Sequence, residues 1–446
     1  MVSVHKSKPV KHKKQVQPDK VPGDFHSLQD VLAWSYANNP SLLSARAGLR
    51  ATEEDLPQAL SGFQPNVNAG ANITNEHISG AVNHDGTTSK QADASFVQPV
   101  FHGGQTLAQV KGARDTIEAQ RALLHDREQQ ILLQATTAYM NVVRDEALLK
   151  VADNNVHDLQ EQYKAASDRF RVGAITKTDV AQSEAALAKA QADRTAALGN
   201  LRTSNAVFEQ IVGFPPGTVS QPETHLPIPS TLDEATDFAD RFNPQIIASS
   251  YLHKFSQSEV DRIFGKMLPQ VDLSGDVERN FDPQPGGIPD NTTRVIGLTA
   301  TIPLYTGGLL SSQVRQAKFT ANQKYLDTLD TRRQIRQNVV SGWETLAATR
   351  AEIDSREAQV KASRTALEGI RQEADVGTRT VLDALNTEQD YLNAEVALVT
   401  AQRDEVVAAF TLADAMGLLT PSTLGFPEIS HEETPHSGHV DKGRVE

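Results

Sequence analysis

The chain has 446 residues, of which 39% are hydrophobic and only 5% aromatic, with no cysteine and a formal net charge of −13. The missing cysteine excludes disulfides, thiolate metal sites and a lipid anchor on an N-terminal cysteine, and the acidic balance argues against a nucleic-acid partner. No run of 18 apolar residues marks a transmembrane helix, and Met1–Lys20 never turns apolar as a secretory signal does.

In chain order, residues 1–26 hold six Lys against two Asp and read as a disordered basic tail, so the remainder carries −17. Ser27 to Asn38 reads as a short amphipathic helix closed by Asn39-Pro40, since proline disfavours helix in the residue before it. Ser41 is expected to cap a second helix reaching about Gly62, with Pro57 bending it or marking a turn. From Pro65 the pattern alternates, with Val67, Ala69, Ala71 and Ile73 on one face and Asn68, Gly70, Asn72 and Thr74 on the other. A turn-rich stretch, Ser79 to Lys90, leads to a second alternation of Ala92, Ala94 and Phe96 against Asp93 and Ser95. That is a β-hairpin spanning 65–101. It ends in Pro99, three residues and the pair Gly103-Gly104, where a lost ladder donor and a permissive backbone turn strand into helix.

From 105 to 171 a single helix is predicted. Apolar residues recur every seven positions (Val110, Ile117, Leu124, Ile131, Ala138), slip by four, and resume at Val142, Leu149, Val156, Tyr163 and Phe170. A heptad stripe with a four-residue slip is a coiled-coil seam with a stutter. At ~1.5 Å per residue the rod is about 100 Å long and has to lie along other helices. It ends at Val172-Gly173, and a return helix runs from 178 to 212. A Pro-rich linker, 214–230, follows.

The unit then repeats. An offset of 204 carries Val110 and Ile131 onto Val314 and Ile335, Asn39-Pro40 onto Asn243-Pro244, and Pro65 onto Pro269. It also carries Pro99 onto Pro303, Gly103-Gly104 onto Gly307-Gly308, Gly173 onto Gly377 and Asp179 onto Asp383. The first copy spans 27–213 and the second 231–417, the latter with a hairpin at 269–305, a long helix at 309–375 and a return helix at 382–416. Residues 418–446 read as a disordered tail. Its His431, His436 and His439 have no scaffold to hold a metal, so neither metal nor cofactor is expected. No His-Glu-x-x-His, P-loop or nucleophile elbow is present, which excludes an enzyme of those classes.

Four strands that alternate apolar with polar residues make an open sheet with bare edges. With lipid on one side and water on the other, such a sheet has to close into a barrel, and several subunits can close it jointly. The fold class is therefore α+β, with a long α-helical coiled-coil part and strands that close between chains. A soluble coiled-coil scaffold or periplasmic adaptor is the alternative; the alternating strands and Gly-Gly corners argue against it.

With Pro-x-x-x-Gly-Gly before each long helix and Val-Gly-x-x-Thr-x-x-Asp after it, the chain resembles the TolC family of outer-membrane efflux proteins over about residues 27–420. The signature lies in Val376-Gly377-Thr378-Arg379-Thr380-Val381-Leu382-Asp383 and in Val172-Gly173-Ala174-Ile175-Thr176-Lys177-Thr178-Asp179. The resemblance implies a homotrimer in the outer membrane of a Gram-negative bacterium. Each chain would give four strands to a twelve-stranded transmembrane β-barrel and its helices to a periplasmic tunnel. It implies a passive exit duct for a tripartite efflux pump or type I secretion system. The helical tips, with Val172, Gly173, Thr176, Val376, Gly377 and Thr380, would dock a periplasmic adaptor beneath an inner-membrane transporter. It further implies a gate in which Arg379 ties to Thr178 and Asp179 while Asp383 narrows the entrance. Asn386 stands where the family has a second carboxylate, and Ala374 where a lock tyrosine is used, which implies a weaker cation ring and a looser lock.

Overall fold

The computed structural model describes residues 27–76, 87–222, 226–281 and 290–427. The basic start, the two hairpin tips and the three tail histidines lie outside the described residues. Among the described residues nine helices and four strands run in the order α1 (Leu28–Asn38), α2 (Pro40–Glu53), α3 (Asp55–Ser61), β1 (Asn66–Glu76), β2 (Thr87–His102), α4 (Gln105–Arg171), α5 (Lys177–Val212), α6 (Leu232–Phe242), α7 (Pro244–Gly265), β3 (Gln270–Phe281), β4 (Asn291–Thr301), α8 (Leu309–Asp375) and α9 (Val381–Met416). The chain divides into two compact units.

One unit comprises residues 1–35, 134–225 and 351–407. Its buried residues include Tyr139, Met140, Val142 and Phe208, and small ones such as Ala190, Ala394 and Ala401. Small side chains let helix backbones approach closely. The Tyr139 hydroxyl donates to the Ser220 carbonyl at 2.9 Å, pinning the linker, and the Trp34 indole donates to the Val212 carbonyl at 3.1 Å. Along the last third of α4 the fully buried positions are Leu159 and Ala166. The seam thus sits three residues away from the expected Val156 and Tyr163, which are only half-buried. The four-residue slip leaves two neighbouring stripes on one helix face, so either satisfies the same apolar pattern.

The other unit holds 36–133, 226–350 and 408–446. Its core joins Ala235 and Ala239 of α6, Ile246 of α7, Ile335, Val339 and Leu346 of α8, and Leu412 and Met416 of α9. At the slip in α8, Gly342 lies against Leu412, where an added Cβ would stand 3.3 Å from the Leu412 Cα. Helix α2 is capped by Asn39, not Ser41: the Asn39 side chain accepts from the Ser41 N–H at 2.9 Å and Pro40 takes the first helical position. The predicted bend at Pro57 is a break at Glu54, which separates α2 from α3. Ordered chain also continues past 417, where a disordered tail was expected to begin. Leu419 is fully buried, and the Phe426 ring packs 5.8 Å from that of Tyr36.

The sheet is antiparallel in the order β1-β2-β3-β4. Its register places Val67, Ala69, Ala71 and Ile73 of β1 on one face with Phe96, Ala94 and Ala92 of β2, Leu273 and Val277 of β3, and Leu298 and Ile296 of β4. The Phe96 ring lies directly over Gly275, where a side chain would collide with it at 2.2 Å. The opposite face carries Asn68, Asp93, Ser95, Asp276, Glu278 and Thr299. Strand β2 runs to His102, one residue beyond the expected hairpin end, with a register shift between Pro99 and Phe101.

Candidate functional site: helix tips and strand-to-helix corners

Both tips are built alike. At the end of α4, Gly173 takes φ 77°, its N–H bonds to the Phe170 carbonyl, and the Ala174 N–H reaches back to Arg169. At the end of α8, Gly377 takes φ 81°, its N–H bonds to Ala374, and the Thr378 N–H reaches Glu373. This is a Schellman stop, and glycine is needed because the backbone is left-handed there. Each return helix then starts with a reciprocal cap. Asp179 accepts from the Thr176 N–H at 2.9 Å while its own N–H donates to the Thr176 hydroxyl at 3.3 Å. Asp383 does the same with Thr380, at 3.1 Å in each direction. The Thr380 hydroxyl also donates to Asp383 at 2.8 Å. That bond first, then the backbone bond and the nearby Arg379 charge, hold the Asp383 carboxyl below the usual carboxylate range.

Within the chain Arg379 pairs with Glu373 at 3.0 Å, and Asp179 is occupied by Thr176. The structure therefore does not bring Arg379 onto Thr178 or Asp179 of the same chain. Thr178, Asn386 and Thr380 are solvent-exposed on or beside the turns. Val172 and Val376, equivalent by the repeat, are 80% and 76% exposed, so each tip presents an apolar knob to its surroundings.

One cluster near the second tip was not anticipated. Glu388 of α9 is 5% exposed, accepts from the Gln162 amide of α4, and pairs with Arg371 of α8 at 3.1 Å. Arg371 also reaches Asp158 at 3.3 Å. Burial pushes the Glu388 carboxyl up, and Gln162 and Arg371 offset part of that rise. The repeat gave no signal for it, because the offset maps Gln162 onto Ala366 and Arg371 onto Ser167.

The corners differ between copies. Gly103 (φ 58°) and Gly104 (φ 77°) match Gly307 (φ 62°) and Gly308 (φ 82°) in conformation. Gly103 is wedged against α7, where a Cβ would lie 2.2 Å from the Gly265 carbonyl oxygen, whereas Gly307 meets no atom within 4 Å. Beside the second corner Leu304 and Tyr305 are 91% and 89% exposed. His102, next to the first corner, lies 2.8 Å from Asp272.

The family model described as "Outer membrane efflux protein" matches residues 33–213 and 243–418, one match for each copy of the repeat. The outer membrane efflux protein BepC of Brucella suis biovar 1 (strain 1330) is 32% identical over 410 residues, covering 92% of this chain and 89% of that protein. Outer membrane protein TolC of Escherichia coli (strain K12) is 22% identical over 417 residues, covering 89% and 83%. The proteases secretion protein PrtF of Dickeya chrysanthemi is 22% identical, covering 89% and 90%. In fold, the Campylobacter jejuni CmeC outer membrane channel superposes with a TM-score of 0.78 at 16% identity over 93% of this chain and 88% of that one. Two matched repeats, four strands with an exposed apolar face and paired Schellman tips agree: the chain belongs to the outer membrane efflux protein family and is an outer-membrane efflux or secretion channel of the TolC type.

Proposed function

We propose that the working channel is a homotrimer, with four strands per chain closing a twelve-stranded barrel in the outer membrane and the helices extending into the periplasm. Its tips receive a periplasmic adaptor and, through it, an inner-membrane transporter that supplies the energy and chooses the cargo. The observation that carries this reading is the unequal use of equivalent surfaces. Within the chain, β2 of the first copy pairs with β3 of the second, and Gly103 seats on Gly265. By the repeat β4 is the counterpart of β2, and Gly307 shares the backbone conformation of Gly103, yet β4 is a sheet edge and Gly307 stands open. The matching surfaces, β1 and Ser61, belong to the first copy, so a neighbouring chain supplies them.

The offset supplies the expected register between chains. Ala94 opposite Val277 and Phe96 opposite Gly275 translate by the offset into Leu298 opposite Ile73, and Ala300 opposite Ala71, of the next chain. Directly opposed strand residues have Cβ atoms about 4.5–5.5 Å apart, close to what a disulfide requires. Because the native chain has no cysteine, Ala71→Cys with Ala300→Cys is a clean reporter. Oxidation is expected to yield a covalent trimer, and Ala71→Cys with Thr299→Cys, on opposite faces, is expected to yield none. A pair that stays monomeric under oxidation rejects the closure.

At the tips, the gate is placed between chains. Arg379 of one chain exchanges Glu373 for Thr178 and Asp179 of the next, and three copies of Asp383 around the axis favour cations. Arg379→Ser is expected to raise single-channel conductance in a planar bilayer. A conductance equal to that of the unaltered protein removes Arg379 from the gate. Asp383→Ala is expected to shift the reversal potential in asymmetric salt toward zero selectivity.

A further inference from the structure

The charges on the sheet are sorted by face. Asp93, Asp272, Asp276 and Glu278 lie on the polar face, whereas Lys90, Arg279 and Arg294 all lie on the apolar one. No acidic residue shares the apolar face among the described strand residues whose side chains are placed. The three bases are exposed and form a diagonal: Lys90 is opposite Phe281, Arg279 is opposite Ala92, and Arg294 is opposite Val277. The Arg279 guanidinium rests 4.8 Å over the Phe281 ring. Lys90 and Arg294 are themselves equivalent by the offset of 204, so both copies carry a base at this one position of the apolar face.

Their height is telling. Nine residues separate Lys90 from Pro99 and Arg294 from Pro303. At ~3.3 Å per residue and a tilt of ~40° that is roughly 23 Å along the membrane normal, close to the ~25 Å apolar band of such barrels. A base at mid-band would be costly. At this height it meets the headgroup level, where its charge is tolerated and its long stem covers apolar surface.

We propose that Lys90, Arg279 and Arg294 form a binding site for the phosphate groups of outer-leaflet lipids, repeated around the lipid-facing rim. The inference rests on the barrel reading above. Guanidinium groups fork onto phosphate oxygens, the lysine adds a point charge, and the aromatic ring of Phe281 borders the acyl chains. The all-acidic opposite face repels the same headgroups, so phosphate is recognised on one side of the wall only.

The test compares two lipids bound to the trimer in native mass spectrometry: a bisphosphorylated hexa-acyl disaccharide lipid and its phosphate-free counterpart with the same acyl chains. The unaltered protein is expected to retain the phosphorylated lipid at least ten-fold more strongly. Lys90→Gln/Arg279→Gln/Arg294→Gln is expected to lose that preference while keeping its trimer and conductance. Arg279→Lys/Arg294→Lys is expected to keep most of it. Equal retention of the two lipids by the unaltered protein overturns the site without any variant, and so does a preference that survives in the triple variant. Displacement by inorganic phosphate at equal concentration also overturns it, since that marks a general anion site. Failure of the unaltered protein to insert into phosphatidylcholine vesicles sinks the barrel reading, whereas insertion without lipid preference sinks the lipid site alone.

Discussion

Asp414 lies on α9, where burial, with the Asp126 charge adding to it, pushes its carboxyl up to about 7. Asp126 is itself raised by burial, although the Gln245 amide donates to it at 2.8 Å. Between an ordinary aspartate value near 3.8 and about 7, the folded chain holds a proton that the unfolded chain has released. Stability therefore falls as pH rises through that window and levels off above it. Asp414→Asn is expected to equal the unaltered protein in denaturant midpoint at pH 4 and to exceed it at pH 8, with a ceiling of roughly 4 kcal/mol. Equal midpoints at both pH values reject the buried proton. At the second tip, Arg371→Ala leaves Glu388 buried without its cation, and amide exchange over 381–400 is expected to accelerate while that of the first tip stays unchanged. What sequence reasoning read at this scale was residue type in a local frame: Thr-x-x-Asp after a glycine stop marks both helix starts. It missed the meeting of Gln162, Arg371 and Glu388, because those partners come from three helices and no periodicity links them.

At the scale of elements, the two corners give opposite expectations from one substitution. Gly103→Ala forces a left-handed φ and a collision with the Gly265 carbonyl, so it is expected to cost several kcal/mol, on the order of other severe core changes. Gly307→Ala has the same φ but meets nothing within one chain. If a neighbour's Ser61 seats there, both variants lose heat-stable trimer on a gel to a similar extent. If no neighbour does, Gly307→Ala keeps most of it. The long helices and four strands were legible because heptads, alternation and Gly-Gly or Val-Gly punctuation are local signals. The seam near Leu159 was not, since after a stutter two adjacent stripes satisfy the same pattern and only packing chooses. Nor was the cap at Asn39, because Asn-Pro marks the end of one helix and the same asparagine also begins the next.

For the whole molecule, chemical cross-linking of the purified protein is expected to saturate at three chains, and a discrete dimer or tetramer rejects twelve strands. The duplication was readable from spacing alone. The way one copy's surfaces are used inside the chain while the other's are left open is set by three-dimensional pairing, which spacing along the sequence does not encode.

The open edges of β1 and β4 have a consequence before assembly is complete. In the proposed closure they pair with each other, so a lone chain would be a ribbon whose two ends fit, and adding chains without curvature would lengthen it indefinitely. In that closure growth stops only if each chain contributes a fixed turn, and the β2–β3 junction carries the one register shift among the described paired strands. On that reading, a change that flattens the junction, such as loss of the register shift between Pro99 and Phe101, is expected to turn a ring-former into a fibre-former.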